Sequence, residues 1–252
     1  MKKLFILCLI SFWAKAQYTT ANAHSHNDYL QALPFGLAYN ALFGSVEADL
    51  FLVNDSIFVA HESRAIKPGE TFEAIYLRPL LEACRNHNGS IYADKTRKLQ
   101  LLLDLKTGYE ATLPALIRLL EPYRAYFYPE GTVKVVISGN TPEPGSFADY
   151  PDYIFFDGRP EINYTDTQLK KIGLISQSFR NYSRWDGRGL PVEEERQLLL
   201  GVVRKAHSSG KPVRFWATPD LPDAWKFLMS MGVDYINTDS IQALEKYLSG
   251  TR

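Results

Sequence analysis

The stretch Leu99-Gln100-Leu101-Leu102-Leu103-Asp104-Leu105-Lys106 reads as a strand buried on both faces: a short, nearly unbroken apolar run that admits charge only at its end. The same form recurs at Gly44 to Asp49, Val133 to Ser138, Tyr153 to Asp157, Gly173 to Phe179, Val213 to Ala217 and Tyr235 to Asp239, after a first strand around Ala21 to His26. Segments with helical spacing lie between several of them: Leu113, Leu116, Ile117 and Leu120, then Leu198, Val202 and Ala206, then Ile241, Leu244 and Leu248. Asp239 followed by Gln242 caps the last of these helices, and Gly250 ends it. About eight β-then-α units in one domain over residues 17–252 predict an α/β protein, a single (β/α)8 TIM barrel. A doubly wound open sheet has the same periodicity.

The 252 residues carry 28 Lys+Arg against 28 Asp+Glu, with 46% hydrophobic and 22% charged residues, a globular composition that excludes extended disorder. At the start, Leu4 to Trp13 is too short an apolar run to span a bilayer; it follows Lys2-Lys3 and precedes Ala14-Lys15-Ala16. This pattern predicts a secretory signal peptide over residues 1–16 and an exported protein, periplasmic or extracellular, with no transmembrane segment. Without Lys2, Lys3 and Lys15 the remainder is slightly acidic, which argues against a nucleic-acid partner. Cys8 falls in the signal and leaves Cys84 alone, a small buried hydrophobe with no disulfide to make.

Most of the predicted strands end in polar residues: His24 and His26, Glu47 and Asp49, Asp104 and Lys106, Ser138, Asp157 and Arg159, Gln177 and Ser178, Trp216 and Thr218, Asn237 and Asp239. In a barrel the C-terminal strand ends converge on one mouth. Glu47 and Asp49, two apart on one strand, face the same side, and paired acids there are costly without a cation. Asn27, Glu47, Asp49 and Asp104 would offer four oxygen ligands to a hard divalent cation, Ca²⁺ or Mg²⁺. Two histidines beside such an ion can divide proton transfer, and Lys106 can hold a phosphate oxygen as a point charge.

His26-Asn27-Asp28-Tyr29-Leu30, Glu47-x-Asp49, His61 and Leu103-Asp104-Leu105-Lys106 resemble the phospholipase C and glycerophosphodiester phosphodiesterase superfamily of (β/α)8 barrels. Phe215-Trp216-Ala217 and Gly232 to Asp239 resemble the last two strands of its glycerophosphodiesterase branch. His24 to Tyr29 with Arg214 to Asp220 is similar to a bacterial group within it, related to a fungal mitochondrial-inheritance protein. The resemblance implies catalytic histidines at His26 and His61, metal ligands at Asn27, Glu47, Asp49 and Asp104, and phosphate contact from Lys106. It implies a phosphoric diester hydrolase acting on a small phosphodiester or phospholipid head group. Asp104 stands where a longer Glu is common, the Arg usual after the first His is absent, and Glu62 follows the second His in place of Asp.

Other readings compete. His24-Ser25-His26 is also the metal pair of zinc-dependent barrel hydrolases, which need further histidines late in the chain, where only His207 is available. A barrel that binds lipid or carbohydrate without turnover is a third reading. His24 itself is either a third functional imidazole or a packed strand residue. The loop from Ser178 to Gly189 offers Arg180, Arg184 and Arg188 to a second anionic group, with Arg180 taken as substrate-binding, and Trp216 lines the pocket floor. His87 and His207 end helices, and Glu193-Glu194-Glu195 opens one.

Overall fold

A computed structural model describes residues 18–250, so the expected signal peptide lies outside the described residues. The strands are β1 (Ala23–Ser25), β2 (Ser45–Val53), β3 (Ser56–Val59), β4 (Leu99–Leu105), β5 (Val133–Gly139), β6 (Ile154–Gly158), β7 (Ile172–Ser178), β8 (Val213–Trp216) and β9 (Ile236–Thr238). The helices are α1 (Gly36–Asn40), α2 (Arg78–Asn86), α3 (Tyr109–Leu120), α4 (Asp166–Leu169), α5 (Glu193–Ser208), α6 (Pro222–Ser230) and α7 (Ile241–Leu248). Parallel pairing runs β8-β7-β6-β5-β4-β2-β1-β9. A parallel bridge from Arg214 to Tyr235, with the Asp234 and Tyr235 amides donating to the Val213 carbonyl, brings the two ends together. The result is a nearly closed (β/α)8 barrel, and the open-sheet alternative falls.

Alternation along the strands divides two cores. Val46, Ala48 and Leu50 of β2, with Leu101, Leu103 and Leu105 of β4, pack in the large outer core. Residues of the opposite parity enter the barrel in layers. Register pairs Gln100 with Ser45 and Lys134, then Leu102 with Glu47 and Val136, then Asp104 with Asp49 and Ser138. Leu102, Val136, Phe155 and Leu174 form a separate apolar plug inside the barrel. Polar strand ends lie above that plug, and Lys134, Gln100 and Tyr235 lie towards the strand starts below it.

Three local expectations change. The apolar stripe of α5 is Leu199, Val202, Val203 and Ala206, and Leu198 points out, because the buried arc of a helix is wide enough for either neighbour to extend it. The last helix takes Ser240 as its N-cap with no side-chain cap bond, because the Asp239 carboxylate is bound elsewhere. β2 also runs past Asp49 into an antiparallel hairpin with β3, through Asn54 and Asp55 in the left-handed region (φ 47° and 61°). That two-residue turn matches the twist of hairpin strands. The hairpin carries the chain back until the Ala60 amide donates to the Asp49 carbonyl at 3.3 Å, so the next residue, His61, arrives at the mouth.

Candidate active site

At the C-terminal end of the barrel a cavity of about 300 Å³ is lined by His26, Asn27, Glu47, Asp49, His61, Asp104, Lys106, Arg159, Arg214 and Trp216, among others. Eight of the nine expected site residues are therefore neighbours. A larger, mostly apolar groove of about 610 Å³ lies outside the barrel against α6 and α7 and gathers none of them.

Asp49 and Asp104 sit side by side in register, and Glu47 stands two residues earlier on the same strand face. Each of the three offers a carboxylate oxygen within 4.8 Å of the others. Arg214 Nη1 donates to Glu47 Oε2 at 2.6 Å, and Lys106 Nζ bridges Asp104 Oδ2 at 2.6 Å and Asp49 Oδ2 at 3.1 Å. Burial alone would raise Glu47, but the Arg214 guanidinium and the His24 imidazole hold it below the usual carboxylate range. Burial wins at the other two: Asp49 is pushed up to about 6 against the pull of Lys106, and Asp104 is raised as well. Asp49 Oδ1 and Asp104 Oδ1 are buried with no hydrogen-bond partner.

Two buried, unpartnered carboxylate oxygens beside a third acid are donors of the kind a hard divalent cation takes, so these residues fit one. Gly139 makes room for the arrangement. A Cβ there would stand 1.9 Å from Asp104 Oδ1, and its φ of +73° is one that glycine adopts freely.

Asn27 reaches the mouth through a turn in the left-handed region (φ 46°), which asparagine tolerates better than most residues. The next residue pins that turn. Asp28 is fully buried and accepts from Ser25 Oγ at 2.7 Å, Tyr76 Oη at 2.9 Å and the Phe35 amide.

The two histidines are each held at Nδ1. His26 Nδ1 lies 2.8 Å from Asp239 Oδ1; an ionised carboxylate only accepts, so the ring donates there and turns Nε2 free. His61 Nδ1 lies 3.0 Å from Tyr29 Oη, which is also 2.8 Å from Asp49 Oδ2 and 2.8 Å from Asn27 Oδ1. Tyrosine has one hydroxyl hydrogen, for which the two acceptors compete, and this leaves an oxygen lone pair for the His61 N–H. Both rings thus present Nε2 as their free nitrogen. Burial opposes charge on His26, yet the Asp239 hydrogen bond and the Glu47 charge raise its pKa.

Some placements differ from expectation. Arg180 does not line the cavity: its Nη1 donates to the Trp185 carbonyl at 3.0 Å, stitching its own loop. Lys106 lies on the cavity wall, but its ammonium is bound by the acids rather than free, because two carboxylates within reach outcompete solvent for it. His24 is completely buried, with Nδ1 2.7 Å from Ser45 Oγ and Nε2 2.9 Å from Glu47 Oε2. Burial and the Arg214 charge lower it to about 3, so it stays neutral and holds Glu47 in place. Trp216 lines the cavity with the Arg159 guanidinium over its ring at 5.1 Å.

Four contributors had no site role assigned from the sequence, although Arg159 and Asp239 stood among the polar strand ends: Tyr29, Asp239, Arg159 and Arg214. Arg214 had a signal, since it shares the inward parity of Trp216 on the same strand. Arg159 stood at a strand end, and it is fixed by Asp157 Oδ2 at 2.7 Å and Ser176 Oγ at 3.1 Å. Nothing in the spacing pairs Asp239 with His26 or Tyr29 with His61.

Similarity to known proteins covers most of the chain. A protein of Arthroderma benhamiae, "Altered inheritance of mitochondria protein 6 homolog", is 28% identical over 89% of this chain and 82% of its own length. "Altered inheritance of mitochondria protein 6" of Kluyveromyces lactis is 27% identical over 90% of this chain and 72% of its own, and that of Eremothecium gossypii is 26% identical over 89% and 68%. These relatives are fungal, where the sequence pattern pointed to a bacterial group. The glycerophosphoryl diester phosphodiesterase family matches residues 212–240, the segment that closes the barrel. The AIM6-like phosphodiesterase domain matches residues 14–157, which hold both mouth histidines and all three acids, and this chain belongs to that family of the glycerophosphodiesterase and phospholipase C-like superfamily.

Proposed function

We propose that this protein is an exported, divalent-cation-dependent phosphodiesterase that cleaves a small phosphodiester, a glycerophosphodiester or a phospholipid head group. The observation that carries the reading is the pair of imidazoles at one mouth, each held at Nδ1, beside three carboxylates with two unpartnered oxygens. Asn27, Glu47, Asp49 and Asp104 would hold the cation, Ca²⁺ or Mg²⁺. Bound there, it would offset the negative charge that grows on the phosphoryl oxygens.

The chain's own groups divide the protons. His61 Nε2 takes the proton of the attacking hydroxyl, whether water or a hydroxyl of the substrate, as the new P–O bond forms. His26, whose charged form the Asp239 carboxylate favours, delivers a proton to the oxygen released when the old P–O bond breaks. Arg159, anchored on Asp157 and laid over Trp216, is placed to hold a non-bridging oxygen. Trp216 forms the wall against which the remainder of the substrate packs.

Two observations weigh against a zinc hydrolase. His24 is locked between Ser45 and Glu47, and His207 pairs with Asp234 at 2.8 Å, next to the start of β9 at the opposite end of the barrel. Among the described residues no helix is long and apolar enough to cross a membrane.

The test is hydrolysis of a chromogenic phosphodiester and of a glycerophosphodiester panel by purified protein, with Mg²⁺ or Ca²⁺ and with chelator. Turnover that needs the cation and falls about 10²-fold or more in both His26→Ala and His61→Ala supports the reading. Turnover indifferent to both substitutions would refute it.

A further inference from the structure

The opposite end of the barrel holds a second cavity, of about 240 Å³, lined by Gly44, Lys98, Leu99, Gln100, Tyr128, Lys134 and Tyr235. Lys98 immediately precedes β4 and Lys134 is the second residue of β5, so both ammonium groups gather where the strands begin. The apolar plug of Leu102, Val136, Phe155 and Leu174 separates this cavity from the catalytic mouth.

Lysines dominate this end, where the Asp234 carboxylate is taken up by His207 and the Val213 amide. Lys134 Nζ lies 4.9 Å from the centre of the Phe155 ring and 5.9 Å from that of Tyr128, and Lys98 Nζ stands 4.7 Å over the same Tyr128 ring. The Lys134 ammonium also donates to the Gly173 carbonyl at 3.1 Å, and Lys211 donates to the Ile172 carbonyl next to it at 3.0 Å. Among the described residues, none of these three lysines is in a salt bridge with a carboxylate. Burial and the charges of Lys211 and Lys98 push Lys134 down to about 8.

Placing a lysine in low dielectric beside two like charges costs stability unless something of opposite sign answers it. Aromatic faces and carbonyl dipoles answer it in part. On the same wall, Gln100 is buried and its Oε1 has no hydrogen-bond partner. The cavity therefore offers cations together with one unused acceptor.

We propose that this lower cavity is an anion site for a phosphate monoester or free hydrogen phosphate, whose charge meets Lys98 and Lys134 and whose P–OH donates to Gln100 Oε1. Lysines act as point charges that suit a tetrahedral oxyanion, and a P–OH hydrogen distinguishes hydrogen phosphate from an acceptor-only anion. The site is independent of the catalytic reading, since none of its residues lines the upper cavity.

Titration of isotope-labelled full-length protein with inorganic phosphate, followed by backbone amide resonances, tests it. The expected result is saturable shifts at Gln100 and Val135 that persist in Lys106→Met, which disturbs the upper mouth, and weaken at least 10-fold in Lys134→Met. Lys98→Met, a change at an exposed position, should weaken them too and guards against misfolding of the first variant. Sedimentation with vesicles of phosphatidic acid in phosphatidylcholine, against phosphatidylcholine alone, distinguishes the source. Binding lost in both lysine variants assigns the phosphate to a lipid head group. Phosphate shifts without vesicle binding assign it to a soluble ligand. Shifts confined to the upper mouth, or unchanged in both lysine variants, would overturn the proposal, and neither outcome bears on hydrolysis at His26 and His61.

Discussion

The Asp239 carboxylate lies 2.8 Å from Nδ1 of His26, a residue 213 positions away in the chain, and is itself largely exposed at 60% of its side-chain surface. A partner so placed orients the imidazole and favours its protonated form without being sealed from water. We expect Asp239→Asn to lower kcat about 10- to 100-fold with KM little changed, because the proton transfer suffers and not the binding. Steady-state kinetics on a chromogenic phosphodiester measure it. A purely structural role would instead show as a lower melting temperature at unchanged kcat.

Tyr29 touches His61, Asp49 and Asn27 through one oxygen. Tyr29→Phe keeps the ring and removes the bridge, so His61 loses its orientation and Asp49 a hydrogen bond. The expected loss is about 10- to 100-fold in kcat/KM. The His61 ring resonance should broaden or move, which distinguishes a positioning role from general loosening of the fold.

Gly139→Ala would drive a methyl group into Asp104 Oδ1 at a backbone angle that L-residues avoid. The expected cost is about 1–3 kcal/mol of stability, measured by denaturant unfolding, together with weaker Ca²⁺ or Mg²⁺ binding by calorimetry. An alanine variant that unfolds and binds cation like the parent would show that the Asp104 oxygen is not held where it is described.

Lys134 offers a pH signature. Its folded pKa, about 8, lies below the ordinary lysine value, so the unfolded chain binds more protons between about pH 8 and the ordinary lysine range, and stability rises with pH across that window. Below it, lysine is charged in both states and the burial cost is fully present. Lys134→Met should therefore be the more stable form at pH 7 by on the order of 1 kcal/mol, discounted for partial solvent access, and the difference should shrink as pH climbs past about 8. Thermal melts across that range check the slope.

Much of the barrel was legible because its signal is local. Each of the eight expected parallel strands begins within a residue or two of its apolar run, though β2 continues past Asp49 to Val53, and parity on β2 and β4 alone put Glu47, Asp49 and Asp104 on one side. What the sequence does not carry is which side chain answers which across the barrel. Arg180 looked available to a ligand but closes its own loop, while Arg214, to which the sequence assigned no role, is the cation that sustains Glu47. The loop offers Arg180 a carbonyl within a few residues, whereas the partner of Arg214 is 167 positions distant.

The amino-acid order by itself thus determined the eight parallel strands and their inward acids, since these follow from the hydrophobic period along the chain. Only the tertiary structure decided that Asp239 serves His26 instead of a helix cap, that a hairpin returns His61 to the acids, and that lysines crowd the far end of the barrel. Those outcomes depend on closure of the sheet, which brings distant strand ends within hydrogen-bonding range, and such long-range juxtaposition leaves no periodic trace along the chain.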